Sequence, residues 1–327
     1  MKRINLMYVI LLVIGSVALA DTPATHRQFQ AVDADGIGTY NVPDRVVLEG
    51  IVLNKPGDML NPRPNYQEYP VDMGGQWQIF IQGEASDHSG TAIYLGQNYE
   101  LLPWIGPGGS YNDADWINEM RRLNASKFGP GDRIRVTGYY LFYKGKTNIN
   151  EQHHNESEYD FNIELLEKGV GLPRPEVVTL NDLKDSEDSF IFDVNRIQGC
   201  EYYQGRLIRI NNIHFVGDIN NWDQDAILTI SDGTKTFPLK LGLVSGIYPG
   251  SNNLSNSFDI IGILDQDATG WPPDCKAGYQ IWVMDYDGNG LVLASRDHRQ
   301  ASKPGDINLD GMVDFYDFAE LASDWLN

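Results

Sequence analysis

The sequence predicts a mainly β fold, two small barrels in tandem, and three observations carry that prediction. Short runs of alternating apolar and polar residues recur along the chain, separated by turns rich in Gly, Pro, Asn and Asp. These runs fall into two groups of about five with a similar internal order. Between the groups, Gly169, Gly171, Pro173 and Pro175 make a stretch that continues neither a helix nor a central strand. Closing each group on itself removes exposed strand edges, which favours small barrels over one large sandwich. A pair of immunoglobulin-like sandwiches is the alternative.

Taken in order, residues 1–20 read as a secretory signal peptide. Lys2 and Arg3 precede an apolar stretch that ends in Ala18, Leu19 and Ala20, with small residues at both cleavage-determining positions. A single membrane anchor is the alternative, but the stretch is short for a span. Residues 21–43 form a polar leader. The first β unit, 44–168, has runs at 45–53, 77–81, 91–95, 132–142 and 159–165. Trp116, Ile117, Met120 and Leu123 recur at helical spacing over 113–123, with Asn112 or Asp113 as the cap. A linker at 169–176 leads into the second unit, 177–294. It opens with a short helical piece at 179–183 and continues with runs at 203–210, 226–230, 236–241, 258–264 and 279–284. Asp232 and Gly233 supply a hairpin turn. A second linker spans 295–303, and 304–327 form a distinct tail.

Composition narrows the function classes. The 327 residues carry 45 acidic against 25 basic side chains, a formal net charge of −20. Such a chain repels phosphate backbones, so nucleic-acid binding is disfavoured. Lys144 and Lys146, beside Tyr139, Tyr140, Phe142 and Tyr143, form the one local basic-aromatic patch. Export would permit a disulfide between Cys200 and Cys275, worth roughly 2–4 kcal/mol if unstrained. Two free buried thiols are the other reading.

The tail holds the sharpest motif. Counting Asp306 as position 1, oxygen-bearing side chains fall at Asp306, Asn308, Asp310, Asp314 and Asp317, which are positions 1, 3, 5, 9 and 12 of a calcium loop. Gly311 stands at position 6, where the chain must turn, and Met312 at position 7 offers its backbone carbonyl. Phe315, Phe318, Leu321, Ala322 and Trp325 then line one helical face, which a segment this small cannot bury by itself. Phe315, Tyr316, Phe318, Leu321 and Trp325 are therefore the expected partner-binding residues, and Ca2+ the expected ion.

This tail resembles a dockerin type I repeat, whose signature D-x-N-x-D-G-x-[IV]-[ND]-x-x-D is met at every fixed position, with Val313 and Asp314 in the middle slots. The resemblance implies an EF-hand-like module that plugs an exported protein into a cohesin on a scaffold or cell surface, commonly in polysaccharide breakdown. The sequence departs from the family in carrying one repeat instead of two, and in placing Phe315 and Tyr316 where small hydroxylic residues are usual. A half-module of this kind would suit a sorting or anchoring tag. The strand pattern of 44–294, with its GDRIRVTG, FDIIGIL and GYQIWV runs, is similar to tandem OB-fold domains of secreted bacterial proteins.

No catalytic constellation is legible. There is no G-x-S-x-G elbow, no phosphate loop with its Lys and no H-E-x-x-H. His153 and His154 are adjacent, a poor geometry for a shared metal, and read as loop residues. Trp104, Trp116, Trp222 and Trp271 are candidates for a sugar-stacking platform, against the commoner fate of core packing. The leading expectation is an exported, non-catalytic binding or adaptor protein with a carbohydrate among its ligands. An extracellular polysaccharide hydrolase is the competing reading, and an extracellular nucleic-acid binder the weaker third.

Overall fold

The structure, a computed structural model, describes residues 21–41, 45–64, 74–97, 111–125, 127–217, 226–241, 257–283 and 291–292. The expected signal peptide at 1–20, and the calcium loop and docking face expected over 304–327, lie outside the described residues.

The chain is mainly β, as its alternating runs require. In the N-terminal half, β1 (Thr22–Pro23) runs parallel to β2 (Val46–Val52), and α1 (His26–Phe29) lies between them in sequence. Thr25 caps α1 reciprocally with Gln28, and Phe29 is buried in the first core. Residues 21–41 are thus built into the first unit. After α2 (Pro56–Met59) come β3 (Gln76–Gln82) and β4 (Gly90–Gly96), paired antiparallel. Helix α3 (Asp113–Asn124) starts at Asn112, whose side chain accepts from Ala114 N and Asp115 N, and it buries Trp116 and Leu123.

The run expected as one strand over 132–142 is two pieces, β5 (Arg133–Gly138) and β6 (Tyr140–Tyr143), separated by Tyr139. β5 pairs with β2, and β6 pairs with β7 (Lys146–Asn150), which itself runs parallel to β4. The bent β5–β6 segment therefore joins the two ends of the β2–β3–β4–β7 path. β8 (Asn162–Glu167) lies outside this circuit, against β5. Phe161, Trp77, Ile79, Leu48 and Val136 are fully or almost fully buried in the first core.

The second unit begins with β9 (Glu176–Val177), α4 (Leu180–Leu183) and α5 (Gly199–Tyr203). Tyr203, expected at the start of a strand, ends a helix; Gly205 turns the chain at φ +76 before β10 (Leu207–Val216) begins. β11 (Ile227–Ser231), β12 (Thr236–Leu241), β13 (Phe258–Gln266) and β14 (Tyr279–Val283) follow, with β15 (Leu291–Val292) at an edge of β13. The pairings β10–β11, β11–β12, β12–β14, β14–β13 and β13–β10 close a five-stranded barrel in which only β12–β14 is parallel. Its core includes Ile210, Ile230, Phe237, Leu239, Ile260 and Tyr279.

A third apolar cluster lies between the units. Leu53, Met59, Phe80 and Ala92 of the first pack on Leu207, Ile261, Ile263 and Trp282 of the second. Those on strands (Phe80, Ala92, Leu207, Ile261, Ile263 and Trp282) face outward from their own units, so each unit covers part of the other's outer surface. Fully burying one such side chain is worth about 1.5–3 kcal/mol. Polar contacts complete the joint: Leu207 N donates to Gln82 Oε1 at 2.9 Å, and Gly90 N to Gln204 O at 3.3 Å. The Gly90 and Gly205 backbones approach so closely that a Cβ on either would overlap the other's carbonyl.

The disulfide expected between Cys200 and Cys275 is not formed; both thiols are free and buried. Cys200 belongs to the second core and donates to Leu183 O at 3.3 Å. Cys275 instead packs in the β13–β14 connection against Gly36. Burial pushes both thiols above their usual pKa, which leaves them protonated and inert.

Candidate functional site

Two concavities flank the joint. The larger, about 770 Å3, lies on the outer face of β2 and β5, walled by the β3–β4 turn and by residues 170–174. Most of its charged groups are engaged in ion pairs, and Asp87 accepts from His26 N and Arg27 N. Arg133 meets Glu84 at 3.0 Å, Arg135 meets Glu49 and Glu164 at 2.7 Å, and Arg206 meets Glu176 at 3.0 Å. His26 lines this cleft, yet both ring nitrogens are engaged, with Thr91 Oγ1 at 2.8 Å and Glu49 O at 2.9 Å. Burial lowers its pKa, so the ring is neutral and serves the packing of α1.

The smaller concavity, about 180 Å3, is a groove between the units. Three strands furnish it by the two-residue alternation of β structure. β3 contributes Gln76 and Gln78, β7 contributes Asn148 and Asn150, and β14 contributes Gln280 and Trp282. Tyr94 and Tyr143 stand at its walls. Lys146 and Asp265 form a buried ion pair, with Nζ 2.6 and 2.7 Å from the two carboxylate oxygens, and Asp265 also accepts from Trp282 Nε1 at 2.8 Å.

The basic-aromatic patch seen in the sequence is the tip of the β6–β7 hairpin. Lys146 is consumed by Asp265, and Lys144 pairs with Asp267 at 3.2 Å. The hairpin docks onto the second unit, with Ala268 N donating to Lys144 O at 3.0 Å. Both of its lysines are thus paired with acids of the second unit. His153 and His154 lie in the loop after β7. His153 Nδ1 is 2.8 Å from Gly96 O, and His154 stacks on Tyr159. Of the tryptophans considered as stacking platforms, Trp116 is buried and donates to Pro62 O at 2.8 Å. Trp271 is 97% exposed, while Trp104 and Trp222 lie outside the described residues.

A third cluster is titratable and partly buried. Glu119, Glu151 and Asp160 bring carboxylate oxygens within 4.8 Å of one another. Arg122 supplies the cation among them: its guanidinium forks onto Glu119, bonds Glu151 at 3.0 Å and lies 3.7 Å from Asp160. Glu151, fully buried, also accepts from Tyr111 Oη at 2.6 Å and Phe161 N at 3.0 Å. Burial, reinforced by the Glu119 charge, raises its pKa to about 8.

A carboxyl whose folded pKa lies above its unfolded value holds its proton more tightly in the native state. Its contribution to stability is full below about pH 4.5 and is lost as pH rises through about 8. Glu151→Gln is therefore expected to flatten the fall in unfolding midpoint between pH 5 and pH 8 relative to the parent chain. Parallel slopes for the two proteins in thermal melts would show that Glu151 is not the titrating group.

Comparisons with known proteins give no family. No family model matches the chain, and no curated protein does. Among solved structures, a murine DNA-binding protein bound with double-stranded DNA is similar at 12% identity and a TM-score of 0.30, over 76% of this chain and 99% of that one. A chain solved in work on structural mimicry for functional antagonism is similar at 11% identity and a TM-score of 0.29, over 76% and 92%. Likeness at this level carries neither fold nor function. Among the described residues, no helix is long and apolar enough to cross a membrane.

The groove amides are the residues that sequence reasoning missed. Gln76 and Gln78, Asn148 and Asn150, and Gln280 and Trp282 are each separated by one apolar core residue. That spacing was the available signal.

Proposed function

We propose that this is an exported, non-catalytic binding protein, built on two OB-like barrels and displayed through its calcium-binding, dockerin-like tail. The observation that carries this reading is the run of oxygen ligands at Asp306, Asn308, Asp310, Asp314 and Asp317 around Gly311, with Met312 offering a carbonyl. Four carboxylates and one amide are hard donors, matched in type and number to Ca2+. The ion would neutralise the crowded carboxylates and order the following helix. Phe315, Tyr316, Phe318, Leu321 and Trp325 would then meet a cohesin-like or cell-surface scaffold.

The OB-like reading is supported by the circuit of the second barrel, with its single parallel pairing, and by the same order of pairings along the first unit. The non-catalytic reading is supported by the state of the acids at both concavities. Glu49, Glu84, Asp265 and Asp267 are each held by a basic partner, and both carboxylate oxygens of Asp87 accept from the backbone N–H groups of His26 and Arg27. A glycoside hydrolase needs two carboxyls free to face one bond.

The test is calorimetry on the mature full chain. Calcium is expected to give a one-to-one isotherm that Asp310→Ala weakens by at least roughly a hundredfold, since one charged ligand of a rigid loop is lost. An absence of heat with the parent chain would remove the calcium assignment. Release of reducing ends from a polysaccharide would replace the non-catalytic reading with the hydrolase one.

A further inference from the structure

We propose that the groove between the two units binds a neutral, hydroxyl-rich ligand, a pyranose unit of a glycan, through the amides of Gln78, Asn148 and Gln280. This rests on the body being a binding module and names the site and the ligand class.

The three amides are 5%, 3% and 6% exposed, yet among the described residues their hydrogen-bonding capacity is not consumed by the protein. The Gln280 side chain has no hydrogen-bond partner among those residues. Asn148 accepts from Asn150 Nδ2 at 2.9 Å, but its own amide nitrogen has no acceptor. Gln78 has only the Met59 sulfur, 3.7 Å from its nitrogen, and its oxygen receives no donor. A thioether is a weak acceptor. The unpaired amide atoms are not sealed from solvent, so they open onto the groove, where a ligand's hydroxyls can take the place of water.

The chemistry of the ligand follows from what is offered. A primary amide presents both a donor and an acceptor, which is also what a hydroxyl presents. A carboxylate or phosphate would use only the donors and leave the amide oxygens stranded; an amine would do the reverse. Charge gives no preference, because Lys146 is neutralised by Asp265 and Lys144 by Asp267. The net charge of −20 disfavours a polyanion further.

The groove's volume, about 180 Å3, is below the roughly 300–1,000 Å3 of pockets that enclose a drug-sized molecule. It suits one ring of a longer chain. Tyr143, 51% exposed on the rim, offers an aromatic face to the apolar side of such a ring. Residues from both units form the groove, so the site exists only when the two are joined.

The experiment is affinity electrophoresis and calorimetry of the full chain against neutral polysaccharides with glucan, xylan, mannan and galactan backbones. Their oligosaccharides and monosaccharides form a second arm, and polygalacturonate is the anionic control. At least one neutral glycan is expected to bind, and more tightly than its monosaccharide. Gln280→Leu is expected to weaken binding roughly tenfold. Tyr143→Ala, at an exposed position, is expected to weaken binding with an unchanged unfolding midpoint. Binding of polygalacturonate in preference, no binding of any neutral glycan, or parental affinity in both variants would overturn the proposal. Tighter binding of the monosaccharide would transfer the site to free sugars and overturn the glycan assignment. Any of these results beside intact calcium binding would leave the adaptor reading standing.

Discussion

Arg196→Met is expected to destabilise the protein by about 3–5 kcal/mol at pH 8, the usual consequence of stranding one member of a buried ion pair. Arg196 is 3% exposed, and its guanidinium is the polar hub of the joint. Nη1 bonds the Glu201 carboxylate, Gln204 Oε1 at 3.1 Å and Gln30 O at 3.1 Å, while Nη2 reaches Ser89 Oγ at 3.3 Å. Gln30 and Ser89 belong to the first unit, Glu201 and Gln204 to the second. Glu201 is fully buried and also accepts from Tyr279 Oη at 2.6 Å.

Burial already pushes the Glu201 carboxyl above its usual pKa, and the Arg196 charge pulls it back. Without that charge the carboxyl would keep its proton to still higher pH. The variant's stability is then retained below the unfolded pKa and lost as pH rises through the raised folded one. The defect should shrink at pH 4.5, and Arg196→Met combined with Glu201→Gln should recover most of the loss. Urea titrations of the parent, Arg196→Met, Glu201→Gln and the double variant at both pH values measure this. An equal defect at both values would point to lost packing instead of a stranded charge.

Gly205→Ala is expected to cost about 3 kcal/mol or more, with Gly90→Ala close behind. At Gly205 the cost has two sources. Its φ of +76 disfavours any side chain, by about 1–2 kcal/mol. The added methyl would also collide with the backbone of Gly90. Overpacking of this kind typically costs about 1–3 kcal/mol, and backbone atoms cannot rotate out of the way. Gly90 carries only the second penalty, against the Gly205 carbonyl. Both changes should loosen the joint before either barrel, so protection from amide exchange should fall first at Leu207 and Phe80. Uniform loss throughout the chain would mean that the joint is not a separable step.

The strands with one wet face were legible. β2 and β5 bury alternate residues, and their sequences alternate accordingly. Periodicity failed at β7, where both faces are covered and most residues are polar. β7 has one aliphatic residue, Ile149, and was missed because Thr147, Asn148 and Asn150 look solvent-exposed but are buried. The same reasoning hid Gln78, Gln82 and Gln280, whose strands turn their polar face toward the other unit. A polar residue in an alternating strand signals a covered outer face as readily as a wet one. At the bend, Gly138 and Tyr139 leave the hydrophobic rhythm intact, so 132–142 read as one strand.

The shared cluster of Phe80, Ala92, Leu207, Ile261, Ile263 and Trp282 bears on how such a gene can be reshuffled. Excising either barrel would turn this inner seam into a bare oily patch and would also divide the amide groove. The unit of recombination is therefore the pair, inherited or transplanted whole. The two units must travel as one cassette.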